Sequence, residues 1–289
     1  MPLFFFLAGY FVKGINTRKE MFEYIKKTAK GLLLPYYLYS ALFIAILFLE
    51  GRINKYTLLD NIKPVLLGQG GGTQALYFFF ALFVVRIIYL IIDYFFAHDD
   101  SKRLILAACI IVIIGFHITK INGFMVFNLS LSMYAFGYYV LGKLYRNSKI
   151  NVFEMEKNRY LLLSMIKLGA CNIIIYGIIY VYKIFAICSF SSKEDIFCCY
   201  FVATMNIIFI CCLGKILCGT MLGRVLAFVG NNTRLYYPLT NFIPIALGEL
   251  LHGSIADKLV KIIFSFWIPT VLAKFKKWWM KNNEDFRNV

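Results

Sequence analysis

The sequence predicts an all-α, polytopic membrane protein, a transmembrane helical bundle of about nine membrane segments. Three observations predict it. Of its 289 residues, 61% are hydrophobic and only 16% charged, against roughly 45–50% apolar and about 25% charged in soluble domains. The apolar residues gather in runs such as Leu32–Phe48, Ala75–Ile92 and Tyr160–Tyr182, each near the roughly 20 residues that a helix needs to span hydrocarbon. The basic residues, finally, alternate between rich and poor connections.

The expected segments cover residues 1–12, 32–49, 75–96, 104–118, 125–142, 160–182, 196–218, 234–251 and 258–275. The first is short. A helix of about a dozen residues rises roughly 18 Å, less than the ~30 Å core. It reads as a membrane segment rather than a cleavable leader, because no basic region precedes it and no small-residue cleavage pattern follows. Before segment two, Asn16–Lys30 reads as a separate amphipathic helix on the inner surface. Met21, Phe22, Ile25 and Ala29 recur at helical spacing, with Lys26, Lys27 and Lys30 on other faces, which suits anionic lipid or an anionic ligand. Gly68, Gly70, Gly71 and Gly72 read as a flexible loop before segment three. They are no phosphate loop, since no Lys-Ser or Lys-Thr follows and no strand precedes. Gly230 is expected to close a short amphipathic stretch, Arg224–Val229. Asn232 or Thr233 then caps segment eight, which Pro238 and Pro244 kink. The domain reading is one membrane-embedded domain over 1–275 and a basic cytoplasmic tail over 276–289.

The formal charge of +16 raises nucleic-acid binding, but no connection is long enough to build a basic face outside the bilayer. The distribution gives a simpler account. Odd-numbered connections and the tail hold 20 of the 31 basic residues and even-numbered connections hold 8. That alternation follows the positive-inside rule, with odd connections and the C-terminus cytoplasmic and every segment crossing once. The partners expected from it are a lipid bilayer and no nucleic acid. The eight cysteines lie mostly within apolar segments and behave as small hydrophobes. No Cys-x-x-Cys pair and no Cys/His cluster has zinc spacing, so no metal site is expected.

Chemistry in such a chain is carried by polar groups at depth. Arg86 sits among Phe83, Val84, Val85, Ile87 and Ile88. A charge there costs at least roughly 2.5–3.5 kcal/mol on insertion scales, so it should face a partner or a water-filled cavity. Two readings stay open: a functional arginine, or a structural pair with Asp93 two turns along the same face. Lys167 lies near a segment end and is expected to snorkel. His117 and His252 read as solvated interfacial residues. Asn128, Asn206 and Asn241 lie within segments and each needs a hydrogen bond there, which helix packing alone can supply.

Several stretches carry a resemblance. Met1-Pro2-Leu3-Phe4-Phe5-Phe6-Leu7-Ala8-Gly9-Tyr10-Phe11 resembles the start of the second helix in the type 3 membrane acyltransferase family, which includes O-acetyltransferases that modify surface glycans. In order after it, Lys30-Gly31-Leu32-Leu33-Leu34-Pro35-Tyr36 resembles the family's basic lead into the next helix. Leu76-Tyr77-Phe78-Phe79, Ala81-Leu82-Phe83 and Arg86 resemble its Leu-Trp-Phe-Leu segment. Phe228-Val229-Gly230-Asn231-Asn232-Thr233 resembles its Gly-Lys-Asn-Ser turn. The resemblance covers nearly the whole chain, and the opening stretch is its most specific part. The family's catalytic histidine directly precedes that opening motif and an arginine lies further upstream. The family also often has histidine where this chain has Thr240. The expectation is therefore a complete family domain of about ten segments, whose first helix is either encoded before Met1 or lost from the natural gene, with no transfer by the 289-residue chain alone; the alternative is a short re-entrant or tilted first helix.

The resemblance implies transfer of an acyl group, most simply acetyl, from acyl-CoA to a hydroxyl of a glycan or lipid-linked acceptor. No cofactor is held; acetyl-CoA or another acyl-CoA is the donor substrate. On that reading Arg86 is the candidate catalytic residue. Tyr77, Asn128 and Asn241 are candidate substrate contacts, and Lys26, Lys27 and Lys30 are candidates for binding the CoA phosphates. The alternative is a transporter or flippase for a lipid-linked or small anionic solute, which also wants an intramembrane arginine and kinked helices. Such carriers often show broken helices in an inverted repeat, and no repeat is visible here.

Overall fold

The computed structural model describes residues 2–14, 17–54, 57–69, 76–97, 100–122, 128–148, 151–154, 159–181, 195–246 and 255–285. These residues are helical, with no strand among them. In chain order the helices are α1 (Pro2–Tyr10), α2 (Arg18–Leu49), α3 (Leu58–Leu66), α4 (Tyr77–Ile92), α5 (Ser101–Asn122) and α6 (Leu129–Arg146), then α7 (Arg159–Val181), α8 (Asp195–Leu217), α9 (Met221–Asn231), α10 (Thr233–Ala246) and α11 (Ile255–Asp285). A π-helical turn, Asp93–Ala97, extends α4.

Among the described residues four helical stretches are long and apolar enough to cross a membrane: Arg18–Leu49, Tyr77–Phe95, Ser101–Ile118 and Tyr200–Leu217. They are expected segments two, three, four and seven. The other expected segments fall on α1, α6, α7, α10 and α11, which are helical but do not meet that standard over the described residues. Exposed apolar side chains on the long helices, such as Leu106, Ile110 and Ile113 on α5 and Ile263 and Trp267 on α11, fit a lipid surround. Hydrocarbon tolerates such side chains and requires the backbone to bond internally, as helices do. The protein is an integral membrane protein.

Three local expectations change. Asn16–Lys30 is not a separate surface helix. Arg18–Leu49 is one helix of 32 residues carrying Pro35 inside it, about 48 Å long by rise alone. No cap or glycine break intervenes at Lys30-Gly31, so the ladder continues. It ends at Gly51, where φ is 71° and the Arg52 amide donates to the Leu47 carbonyl at 3.0 Å, a Schellman closure that a left-handed glycine permits. Of the glycine-rich stretch, Gly68 is a helix terminator, and Gly70, Gly71 and Gly72 lie outside the described residues. Gly68, at φ 74°, ends the unforeseen helix α3, with the Gln69 amide on the Pro64 carbonyl at 2.8 Å. Gly230, third, closes nothing: it lies inside α9, whose N-cap Thr220 accepts from the Gly223 amide at 3.1 Å. A single residue, Asn232, separates α9 from α10, and its carbonyl takes the Leu235 amide at 2.8 Å.

The chain forms two compact units, Met1–Leu33 with Phe78–Cys218 and Leu34–Tyr77 with Gly219–Val289. In the first unit α1 packs on α6 and α8, α5 packs on α6, and α7 packs on α8. Phe5 and Phe78 meet edge to face at 5.3 Å. In the second unit α10 packs on α11. Tyr236 donates to Thr270 Oγ1 at 2.6 Å, since the Thr270 hydroxyl is itself spent on the Phe266 carbonyl. The Tyr36 hydroxyl ties α2 to α3 through the Val65 carbonyl at 2.8 Å. Helix α11 runs through Asp285, so residues 276–285 continue the helix that contains expected segment nine.

Candidate active site

In the first unit the polar groups at depth collect around Arg86. Helix α4 places Arg86, Tyr89 and Asp93 three and four residues apart, on one face. Tyr89 is fully buried and Asp93 is 8% exposed. Across from them α6 supplies Tyr139, fully buried, its ring 5.2 Å from that of Tyr89. The Tyr139 hydroxyl lies within electrostatic reach of Tyr24 of α2, Arg86 and Tyr89. Three helices therefore bring one guanidinium and three phenols together.

The two readings of Arg86 both stand: Asp93 lies two turns along the same face, and the described ion pairs do not include Arg86. Ion pairs among the described residues include Arg52–Glu50 and Arg103–Asp100, both toward the surface. The Arg86 Nε is buried and has no hydrogen-bond partner among the described residues. A buried donor without a partner costs about 1–3 kcal/mol, more on a charged group. A guanidinium with an unspent buried donor, in electrostatic reach of a phenol, has the chemistry to stabilise a negatively polarised oxygen.

The position of Tyr139 is fixed by helix packing. Gly9 of α1 abuts the Tyr139 backbone, and Gly142, one turn on, abuts the Phe6 backbone. Below the crossing, Asn151 Nδ2 donates to the Tyr10 hydroxyl at 3.0 Å and Arg146 Nη1 donates to the Val12 carbonyl at 3.0 Å. Lys215 Nζ donates to the Phe153 carbonyl at 2.8 Å. Several basic residues counted for topology thus also tie helix ends together. On the other side of α6, the Tyr138 and Tyr200 rings stack at 4.2 Å, and the Tyr200 hydroxyl donates to the Tyr134 carbonyl.

The remaining sequence candidates are dispersed. Lys26, Lys27 and Lys30 are exposed on α2, the helix that carries Tyr24. Asn128 starts α6 in a left-handed conformation, φ 49°, and its carbonyl accepts from Ser132 Oγ at 2.9 Å. Tyr77 opens α4 and belongs to the second unit, where it is in electrostatic reach of Tyr237. Asn241 lies on α10 of that unit, and its side chain is outside the described residues. His117 is exposed beside Phe116 on α5, Lys167 is exposed on α7, and His252 lies outside the described residues. The sequence reading missed Tyr24, Tyr89 and Tyr139. Tyr89 was available as the polar residue three along from Arg86, but the other two come from distant helices and no spacing rule reaches them.

A family model described as an acyltransferase domain matches residues 1–279. No curated protein and no solved structure matches the chain.

Proposed function

We propose, from the premise that this chain belongs to the type 3 membrane acyltransferase family, that it serves transfer of an acyl group, most simply acetyl, from acyl-CoA to a hydroxyl of a surface glycan or lipid-linked acceptor. The membrane is the cell membrane and the C-terminus is cytoplasmic, following the excess of basic residues in odd connections. In the reaction the acceptor oxygen attacks the thioester carbonyl, the carbon–sulfur bond breaks, and the hydroxyl proton passes to the departing thiolate.

The observation that carries the reading is the buried Arg86 Nε, which has no hydrogen-bond partner among the described residues, in electrostatic reach of the Tyr139 hydroxyl. As the carbonyl is attacked its oxygen gains negative charge, and a preorganised cation and a phenol stabilise that charge more than they stabilise the ground state. Lys26, Lys27 and Lys30, exposed on α2, supply positive charge for the CoA phosphates on the cytoplasmic side. Family membership favours this reading over a carrier.

The test is genetic and chemical. Deleting the gene should remove acyl groups from surface glycans, read by mass spectrometry of the released glycan. Changing the chromosomal Arg86 codon to Ala should reproduce the loss while the protein stays in the membrane. Unchanged acylation after deletion would overturn the function, and unchanged acylation in Arg86→Ala would remove Arg86 from the site.

A further inference from the structure

The second unit holds a polar feature of its own, built from residues given no role in acyl transfer above. A cleft of about 620 Å³ between α10 and α11 is lined by Thr240, Pro244, Lys258, Lys261, Ser265 and Phe266, with Ile262 completing the wall. On α11 the five lining residues fall at positions i, i+3, i+4, i+7 and i+8, so helical periodicity alone puts them in one stripe. Lys258 and Lys261 line it one turn apart on α11. Ser265, one turn deeper, is 6% exposed and its Oγ has no hydrogen-bond partner among the described residues. On α10, Pro244 has no amide hydrogen, so the Thr240 carbonyl lacks its intrahelical donor. The Thr240 hydroxyl is turned back onto the Tyr237 carbonyl at 3.2 Å. Ile262 and Phe266 are 55% and 54% exposed and form an apolar flank.

We propose that this cleft binds the phosphate of a phosphate-headed amphiphile. Lysine ammonium groups are compact point charges suited to phosphate. The orphaned Ser265 hydroxyl gains an acceptor when a phosphate oxygen reaches it, which removes the cost of leaving a buried polar group unmade. The freed Thr240 carbonyl takes a hydroxyl of the headgroup. The hydrocarbon chain lies along Ile262 and Phe266, on a helix face already turned to lipid. The ligand is either a bilayer phospholipid or a lipid-linked phosphate such as an acceptor carrier. The binding claim does not rest on the acyl-transfer reading.

The experiment uses the full chain in phosphatidylcholine nanodiscs and tritiated farnesyl monophosphate as probe. Saturable binding is expected, weakened at least about tenfold, or roughly 1.4 kcal/mol, by the double change Lys258→Gln/Lys261→Gln and restored by arginine at both positions. Competition by phosphatidylglycerol at equal mole fraction assigns the site to bilayer lipid. Resistance to phosphatidylglycerol assigns it to an isoprenoid phosphate, and competition by inorganic phosphate alone at similar concentration overturns the amphiphile in favour of a free anion. No saturable binding, or equal affinity in the double variant, overturns the site. If the double variant does not purify as a single species, the exposed Lys258→Gln carries the test, and unchanged affinity there overturns it.

Discussion

Gly9 of α1 lies directly against the backbone carbonyl of Tyr139 of α6, too close for any Cβ to stand between them. Gly142 meets the Phe6 carbonyl in the same way. Small residues let membrane helices approach closely, where dispersion and weak contacts replace a hydrophobic driving force. The contact falls on the residue whose hydroxyl is in electrostatic reach of Arg86, so this packing decides where the site's phenol stands.

The glycines give opposite signs by position. In a helix interior alanine is better than glycine by about 1 kcal/mol, but an overpacked backbone contact costs typically 1–3 kcal/mol. Gly9→Ala and Gly142→Ala should therefore lower the thermal midpoint of the detergent-purified protein, with Val worse than Ala. Gly214 of α8 has nothing within 4 Å of an added Cβ, and Gly214→Ala should hold or raise the midpoint. Equal behaviour of all three would contradict the crossing.

Arg86→Met should leave the thermal midpoint unchanged or raised. It removes a buried donor with no partner and breaks no ion pair among the described residues. Transfer in cells that carry the change in the chromosomal gene should fall about 10²–10³-fold, the usual loss of one oxyanion-stabilising donor. A large drop in midpoint would show instead that the guanidinium holds the fold. Tyr139→Phe keeps the ring against Tyr89 at 5.2 Å and should lower transfer without moving the midpoint.

Replacing Lys26, Lys27 and Lys30 together by Gln in the chromosomal gene should raise KM for acyl-CoA, measured in isolated membranes, about tenfold at low salt and leave kcat in place. The gap from the unmodified protein should narrow as ionic strength passes ~0.15 M, where the Debye length is about 8 Å. A fall in kcat with unchanged KM would move these lysines away from the donor.

Topology is open to labelling. Single cysteines in a cysteine-free background at Asn54 and Asn147, both exposed in the structure, should react from outside and from inside the cell respectively. Reaction of both from one side would overturn the orientation read from the basic residues.

The sequence by itself determined the class, the orientation expected and the family. Length, apolarity and charge alternation are sums over a chain, and a motif such as Met1–Phe11 is contiguous, so none of them waits for folding. It also singled out Arg86, because a charge amid Val85 and Ile87 is costly wherever the helix packs. What surrounds Arg86 was decided only in three dimensions. Helical spacing offered Tyr89 and Asp93, while Tyr139 of α6, in electrostatic reach of both Arg86 and Tyr24 of α2, is brought in by packing alone. Helix ends went the same way. Gly230 looks like a terminator and is helical, whereas Gly51 and Gly68 terminate because a left-handed glycine closes the last carbonyls there. Local propensities are worth tenths of a kcal/mol to about 1 kcal/mol, and the packing of one helix on another outweighs them.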